Sequence, residues 1–128
     1  MKTATTALQM IVRFCGVVLI VLGVLFWIGT ATGLVPVHML LGLVLVLALW
    51  GLAILAGVSG GSAGFVALGI VWGLIVLALG MTQASILPGP SHVVIQILHL
   101  LVGLGALGIA ESLGRGIKRR LALQTRAA

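Results

Sequence analysis

Residues 92–113 read HVVIQILHLLVGLGALGIAESL, and Glu111 is the only charged residue in this run. About 20 predominantly apolar residues are enough to cross the hydrocarbon of a bilayer as an α-helix. Three more runs of this kind precede it, at residues 8–29, 36–58 and 64–85. The sequence therefore predicts four transmembrane helices within one domain that covers residues 1–128.

The composition excludes a water-soluble domain. Hydrophobic residues make up 62% of the chain, charged residues 6%, and the mean hydropathy is +1.40, whereas soluble domains carry about 25% charged residues. The segments between the runs are short and rich in Gly, Ser, Thr and Pro, so neighbouring helices are expected to be antiparallel. We expect an all-α fold, an integral membrane four-helix bundle.

The basic residues predict the orientation. None lies between Arg13 and Arg115, and the excess of Lys and Arg at both ends predicts that both termini of this multi-pass protein face the cytoplasm, in the cell membrane. Despite the net charge of +6, we expect no nucleic-acid partner. The basic segment 114–128 is interpreted as a cytoplasmic tail that sets the topology and touches anionic lipid. The basic residues are Lys2, Arg13, Arg115, Lys118, Arg119, Arg120 and Arg126.

Three histidines lie in this apolar sequence, and ionisable residues inside a membrane mark functional sites by default. His92, Gln96, His99 and Gly103 are spaced four, three and four residues apart, so they form one stripe on a helix. A polar stripe is expected to point into the bundle. Helix 2 offers His38 on the same, non-cytoplasmic side, which predicts a site in the outer half of the bundle.

A short internal sequence similarity relates the two helical hairpins. HMLLGL at 38–43 matches HLLVGL at 99–104, and a two-helix repeat would bring His38 and His99 together on parallel helices. A second alignment, of PVH at 36–38 on PSH at 90–92, pairs His38 with His92 instead. At 1.5 Å per residue, His38 lies roughly 3 Å and His99 roughly 10 Å below its helix start. The sequence leaves both pairings open.

Two converging histidines suit bis-histidine ligation of a haem iron, with a glycine one turn away to leave room for the macrocycle. This spacing of histidine and glycine resembles small four-helix membrane b-type cytochromes and the haem-bearing anchor subunits of respiratory complexes. The resemblance implies haem b, and electron transfer to or from a quinone or a partner protein. The cofactor-binding residues would be His38, His92, His99, Gly42, Gly103 and Gln96, with the three histidines as the metal ligands.

Other interpretations stay open. The histidines are structural if the chain is a non-catalytic membrane subunit or an accessory scaffold. His and Gln side chains are also suitable partners for quinone carbonyls, and Met39 and Met81 beside imidazoles suit Cu(I). No Ser-His-Asp set can be assembled without an aspartate, so no catalytic residue is assigned and enzymatic activity is left open.

Several residues are interpreted as packing or structural groups. Small residues such as Gly69, Gly73, Ala106 and Ala110 let helix backbones approach closely, within the bundle or between copies of the chain. Cys15, Trp50 and Trp72 are expected to pack in the bundle. Arg13 and Glu111 lie at similar depth and are expected to form an ion pair, with Arg115 as an alternative partner for Glu111.

Overall fold

The computed structural model describes residues 1–127, which contain no strand. Short 3₁₀ turns precede the second helix and follow the third, at Thr32–Leu34 and Gln83–Ser85. All four α-helices are long and apolar enough to cross a membrane, as the sequence predicts. They are α1 (Lys2–Trp27), α2 (Val35–Val58), α3 (Ala63–Thr82) and α4 (His92–Ala127).

Two helices extend past the predicted spans. The helix α1 begins at Lys2 rather than at residue 8, and α4 continues to Ala127 rather than ending at residue 113. Both extensions carry buried side chains, since Thr5 and Ile117 are 0% exposed. Residues 114–127 therefore continue α4, and Ala128 lies outside the described residues. The interpretation of this basic segment as a cytoplasmic tail stays a prediction.

The four helices form a closed bundle. Consecutive helices contact each other, and α4 returns to contact α1. The helices α2 and α4 also touch across the bundle, whereas α1 and α3 make no such contact within residues 1–127. The α2–α4 diagonal is therefore the line along which side chains from different hairpins meet. The internal two-helix repeat stays a prediction.

Glycine ends two of the helices in the same way. Gly29 and Gly60 both have φ of 77°, a left-handed conformation that glycine adopts without a Cβ penalty. The next amide then reaches back to a carbonyl five residues earlier, from Thr30 to Leu25 at 2.9 Å and from Gly61 to Ala56 at 2.8 Å. These bonds satisfy carbonyls that the helix ends would otherwise leave without partners.

The bundle has two unequal halves along its axis. We call residues 1–17, 45–76 and 104–127, which include the beginning of α1 and the end of α4, the terminal half. Residues 18–44 and 77–103, which include all three histidines, are the histidine half. The histidine half has two buried residues among those described, Leu22 and Ile95. The terminal half contains the main hydrophobic core, formed by Val12, Cys15, Leu45, Ala48, Leu49, Leu52, Ala53, Ala56, Ala106, Ala110, Leu113 and Ile117.

Two tryptophans join neighbouring helices by one shared arrangement. The Nε1–H of Trp50 donates to the Ile70 carbonyl at 3.1 Å, and that of Trp72 donates to the Val102 carbonyl at 2.9 Å. Each indole lies against a glycine three residues after its acceptor, Gly73 and Gly105 respectively, where a Cβ would collide with the ring. The expected packing role of these tryptophans is confirmed.

Candidate functional site

His38 and His99 face each other in the histidine half. Their ring centroids are 6.2 Å apart, and the ring planes are inclined by 43°. His38 comes from α2 and His99 from α4, the two helices that contact each other along the diagonal of the bundle. Of the two pairings that the sequence leaves open, the structure places His99 opposite His38.

His92 is turned toward its own loop. Its Nδ1 lies 3.1 Å from the carbonyl oxygen of Ile86, in the segment that precedes α4. The depth argument from the sequence takes α2 and α4 to begin at the same level. His38 is three residues into α2 and His99 seven residues into α4. Because the two rings meet, the first residue of α4 must lie about 6 Å farther along the bundle axis from the terminal half than the first residue of α2.

A glycine of the preceding helix lies beside each imidazole of the pair. A Cβ on Gly23 of α1 would be 4.0 Å from His38 Cε1, and one on Gly80 of α3 would be 3.5 Å from His99 Cε1. Phe26 also contacts His38, with ring centroids 5.4 Å apart. Sequence reasoning missed all three residues, although a glycine near the end of both helices that precede a histidine helix is a signal it could have used.

One ring nitrogen of each paired histidine has no hydrogen-bond partner. Nδ1 of His38 and Nδ1 of His99 are both buried and unpaired. Buried polar side-chain atoms nearly always have a partner, and leaving one without costs about 1–3 kcal/mol. Two such atoms on facing rings indicate a polar site whose bonding capacity the chain itself does not use.

The predicted polar stripe lies at the edge of the bundle interior. His92, Gln96, His99 and Gly103 are all half-buried. The space beside the two site glycines is open, since no heavy atom lies within 4 Å of a Cβ built on Gly42 or Gly103. The structure thus leaves room one turn along each helix from His38 and His99.

The sulfur groups considered for copper lie on the outside. Met39 is 54% exposed and Met81 is 74% exposed. Among residues 1–127, no group of three or more His, Cys, Asp and Glu side chains is arranged to hold a metal ion. The structure thus brings two of the three histidines together, His38 and His99.

The predicted ion pair is confirmed, and it lies in the terminal half. Arg13 donates to Glu111 through Nε at 2.7 Å and through Nη2 at 2.9 Å. Gln9 Nε2 donates to the same carboxylate at 3.1 Å. Arg115, the alternative partner, donates instead to Ser112 Oγ at 3.2 Å. The single acidic side chain of the chain is therefore engaged away from the histidines.

Comparison with protein-family models, with curated proteins and with solved structures gave no match. The function of the histidine pair is therefore inferred from its own geometry and chemistry.

Proposed function

We propose that this chain is a small b-type cytochrome of the cell membrane, which holds haem b between His38 and His99. It would carry electrons to or from a quinone or a redox partner protein. The observation that supports this most is the facing pair of imidazoles from two different helices, each with a buried ring nitrogen that has no partner.

The proposed placement is a multi-pass bundle with both termini in the cytoplasm. Four apolar helices support insertion, and all the Lys and Arg residues lie in the terminal half, as expected for its cytoplasmic location. At 1.5 Å per residue, the 36 residues of α4 extend about 54 Å. The hydrocarbon layer is about 30 Å thick, so the basic last turns of α4 reach beyond it. The histidine half then lies in the outer part of the membrane.

The geometry of the pair fits a bis-histidine centre. An imidazole nitrogen binds a metal ion at about 2.0 Å, so two imidazoles could share one ion only if their rings lie close together. The observed separation is 6.2 Å. Open space beside Gly42 and Gly103 is where a flat macrocycle needs small residues.

In this proposal the chain binds and orients the haem, which supplies a one-electron redox centre. His38 and His99 would both hold the iron, and two protein ligands favour electron transfer over chemistry on a bound molecule. Phe26 restricts the His38 ring by direct contact. Gln96, half-buried on the same stripe as His99, is the proposed hydrogen-bond donor to a quinone carbonyl.

A second candidate is an accessory membrane subunit in which the histidines are structural. The contacts of Phe26 with His38 and of His38 with His99 favour it, because the three rings fill space against one another. A histidine and glutamine site for quinone alone is a further alternative. Copper receives less support, because both methionines are exposed.

The test is the visible spectrum of the protein, purified in dodecyl maltoside from haem-competent cells, oxidised and then reduced with dithionite. We expect about one haem per chain with the spectrum of a six-coordinate b-type cytochrome, and its loss in His38→Ala. A colourless protein with native helical content would overturn the haem proposal and favour the structural or quinone alternatives.

A further inference from the structure

A cavity lies in the terminal half, at the opposite end of the bundle from the histidines. Its volume is about 140 Å³, and it opens between the α2–α3 turn and the last part of α4. A cavity of about 150 Å³ accommodates a six-carbon aromatic ring, so this space is large enough for a small ion or a headgroup fragment. The polar side chains that line it are Ser62, Ser112 and Arg120.

Arg120 reaches into this cavity with an unused donor. Its Nη1 atom is buried and has no hydrogen-bond partner in the structure. Two glycines make room for the guanidinium, since a Cβ on Gly61 would lie 3.3 Å and one on Gly116 would lie 3.5 Å from Nη1. A buried guanidinium nitrogen without an acceptor is costly unless an anion joins it.

The single acidic side chain and one carbonyl that lines the cavity are already engaged. Glu111 is the single acidic side chain in the sequence, and it is bound to Arg13 and Gln9. The carbonyl of Ala56, another lining residue, accepts from the Gly61 amide and from the Ser59 hydroxyl. The positive charge of Arg120 therefore has no protein carboxylate to balance it among the described residues.

Two hydroxyl groups complete the donor set. Ser62 stands immediately before α3 but makes no side-chain bond that caps this helix. Ser112 Oγ accepts a hydrogen bond from Arg115, which leaves its own proton to donate. One guanidinium and two hydroxyls match the several acceptor oxygens of a phosphate group.

We infer that this cavity binds a phosphate group, with Arg120 as its charge partner and Ser62 and Ser112 as hydrogen-bond donors. With the terminal half at the cytoplasmic surface, the phosphate has two sources, the headgroup of an anionic phospholipid or free phosphate from solution. The site shares no residue with the histidine pair, so it stands whether or not the chain binds haem.

The test is isothermal titration calorimetry of the full chain in dodecyl maltoside at fixed ionic strength. The probes are inorganic phosphate, a soluble short-chain phosphatidylglycerol, and the matching diacylglycerol without phosphate. We expect one saturable site for a phosphate-bearing probe and none for the diacylglycerol. R120Q should weaken binding about tenfold or more, because a hydrogen bond to a charged group is lost. R119Q, which removes the neighbouring charge outside the cavity, should change it less than about twofold.

Each outcome decides the inference. If only phosphatidylglycerol binds, the cavity is a lipid headgroup site. If inorganic phosphate binds comparably, the cavity binds free phosphate, and either result supports the inference. If neither inorganic phosphate nor phosphatidylglycerol binds, the inference is overturned. Equal weakening in R119Q and R120Q would also overturn it, because a positively charged surface without a specific site would give that result. If circular dichroism shows that R120Q is unfolded, S62A decides alone, with an expected loss of about threefold or more for one hydrogen bond.

Discussion

In the terminal half, α2 and α4 bury alanines, whereas in the histidine half they present His38 and His99 to each other. Ala53 of α2 and Ala110 of α4 are 0% exposed, and small residues let helices pack closely where lipid offers no hydrophobic driving force. The imidazoles hold a ring-to-ring distance of 6.2 Å and leave two ring nitrogens unpaired. Where α2 and α4 meet, the same helices thus pack small residues closely in the terminal half and bring two imidazoles together in the histidine half.

The difference indicates a division of roles. The terminal half contains the core, the hydrogen-bonded side chains of Trp50 and Trp72, and the only ion pair of residues 1–127. These interactions secure the bundle. The histidine half can then keep the two unpaired ring nitrogens of His38 and His99, because stability gained elsewhere offsets their cost.

The largest expected effect is a steric clash in the terminal half. In Gly105→Ala the added Cβ would lie 2.6 Å from Trp72 Cζ2, so the indole must move and its bond to Val102 is strained. We expect a loss of about 1–3 kcal/mol in the free energy of unfolding, measured by circular dichroism in dodecyl maltoside. The matched control is Gly103→Ala in the histidine half, where a Cβ meets nothing within 4 Å. In the haem-free protein, in which both variants are compared, it should change stability by less than about 1 kcal/mol, in the stabilising direction. Equal losses would contradict the contrast between the halves.

The next effect is removal of the carboxylate that joins α1 and α4. Glu111→Ala takes the acceptor from Arg13 and from Gln9 Nε2. Because the Arg13 side chain is 57% exposed, solvent weakens the ion pair, and we expect a loss of about 1–2 kcal/mol in the same unfolding measurement. Arg115→Ala, which removes a hydrogen bond to Ser112 on the surface, should stay within about 0.5 kcal/mol. An equally large loss in Arg115→Ala would show that the destabilisation comes from a changed charge on α4 and not from losing the bonds between α1 and α4.

In the histidine half, substitution should leave the haem-free bundle intact. His38→Leu and His99→Leu each remove a buried ring nitrogen that has no partner and replace it with an apolar side chain. We therefore expect the free energy of unfolding of the haem-free protein to stay unchanged or to rise by about 1 kcal/mol. A loss above about 1 kcal/mol in either variant would favour the structural interpretation of the ring cluster.

The smallest effect concerns the exposed methionines. Met39→Leu and Met81→Leu keep the volume of side chains that are 54% and 74% exposed, so stability should stay within about 0.5 kcal/mol. Metal content, measured by inductively coupled plasma mass spectrometry, should be unchanged. Copper that co-purifies with the wild type and is lost in either variant would move the assignment from haem to copper.

The four helices could be predicted because each span is a long apolar run bounded by turn residues. The ends of α1 and α4 could not, because they depend on contacts: Thr5 and Ile117 are buried in the folded bundle, and no local pattern marks them. The pairing of Arg13 with Glu111 was predictable from depth alone, since the two residues lie at similar depth from the terminal-half ends of their predicted spans.

The histidine pair was predicted only in part. Helical spacing places His92 and His99 on one stripe, but the choice between them depends on how far out α4 begins. That level is set by the loop before α4, where Ile86 contacts His92 Nδ1, and periodicity carries no such information. The glycines beside the rings, Gly23 and Gly80, were not predicted, because a glycine in an apolar helix is equally expected where another helix packs against it.

The most direct test of the central claim compares two single variants of α4 for haem content. His99→Ala and His92→Ala each remove an imidazole from the same stripe of α4. The two imidazoles differ in their contacts, since His99 lies against His38 and His92 lies against the Ile86 carbonyl. The account predicts that His99→Ala purifies with no stoichiometric haem while His92→Ala keeps one per chain with the wild-type reduced spectrum. Full haem content in His99→Ala, or its loss in His92→Ala alone, would contradict the pairing of His38 with His99.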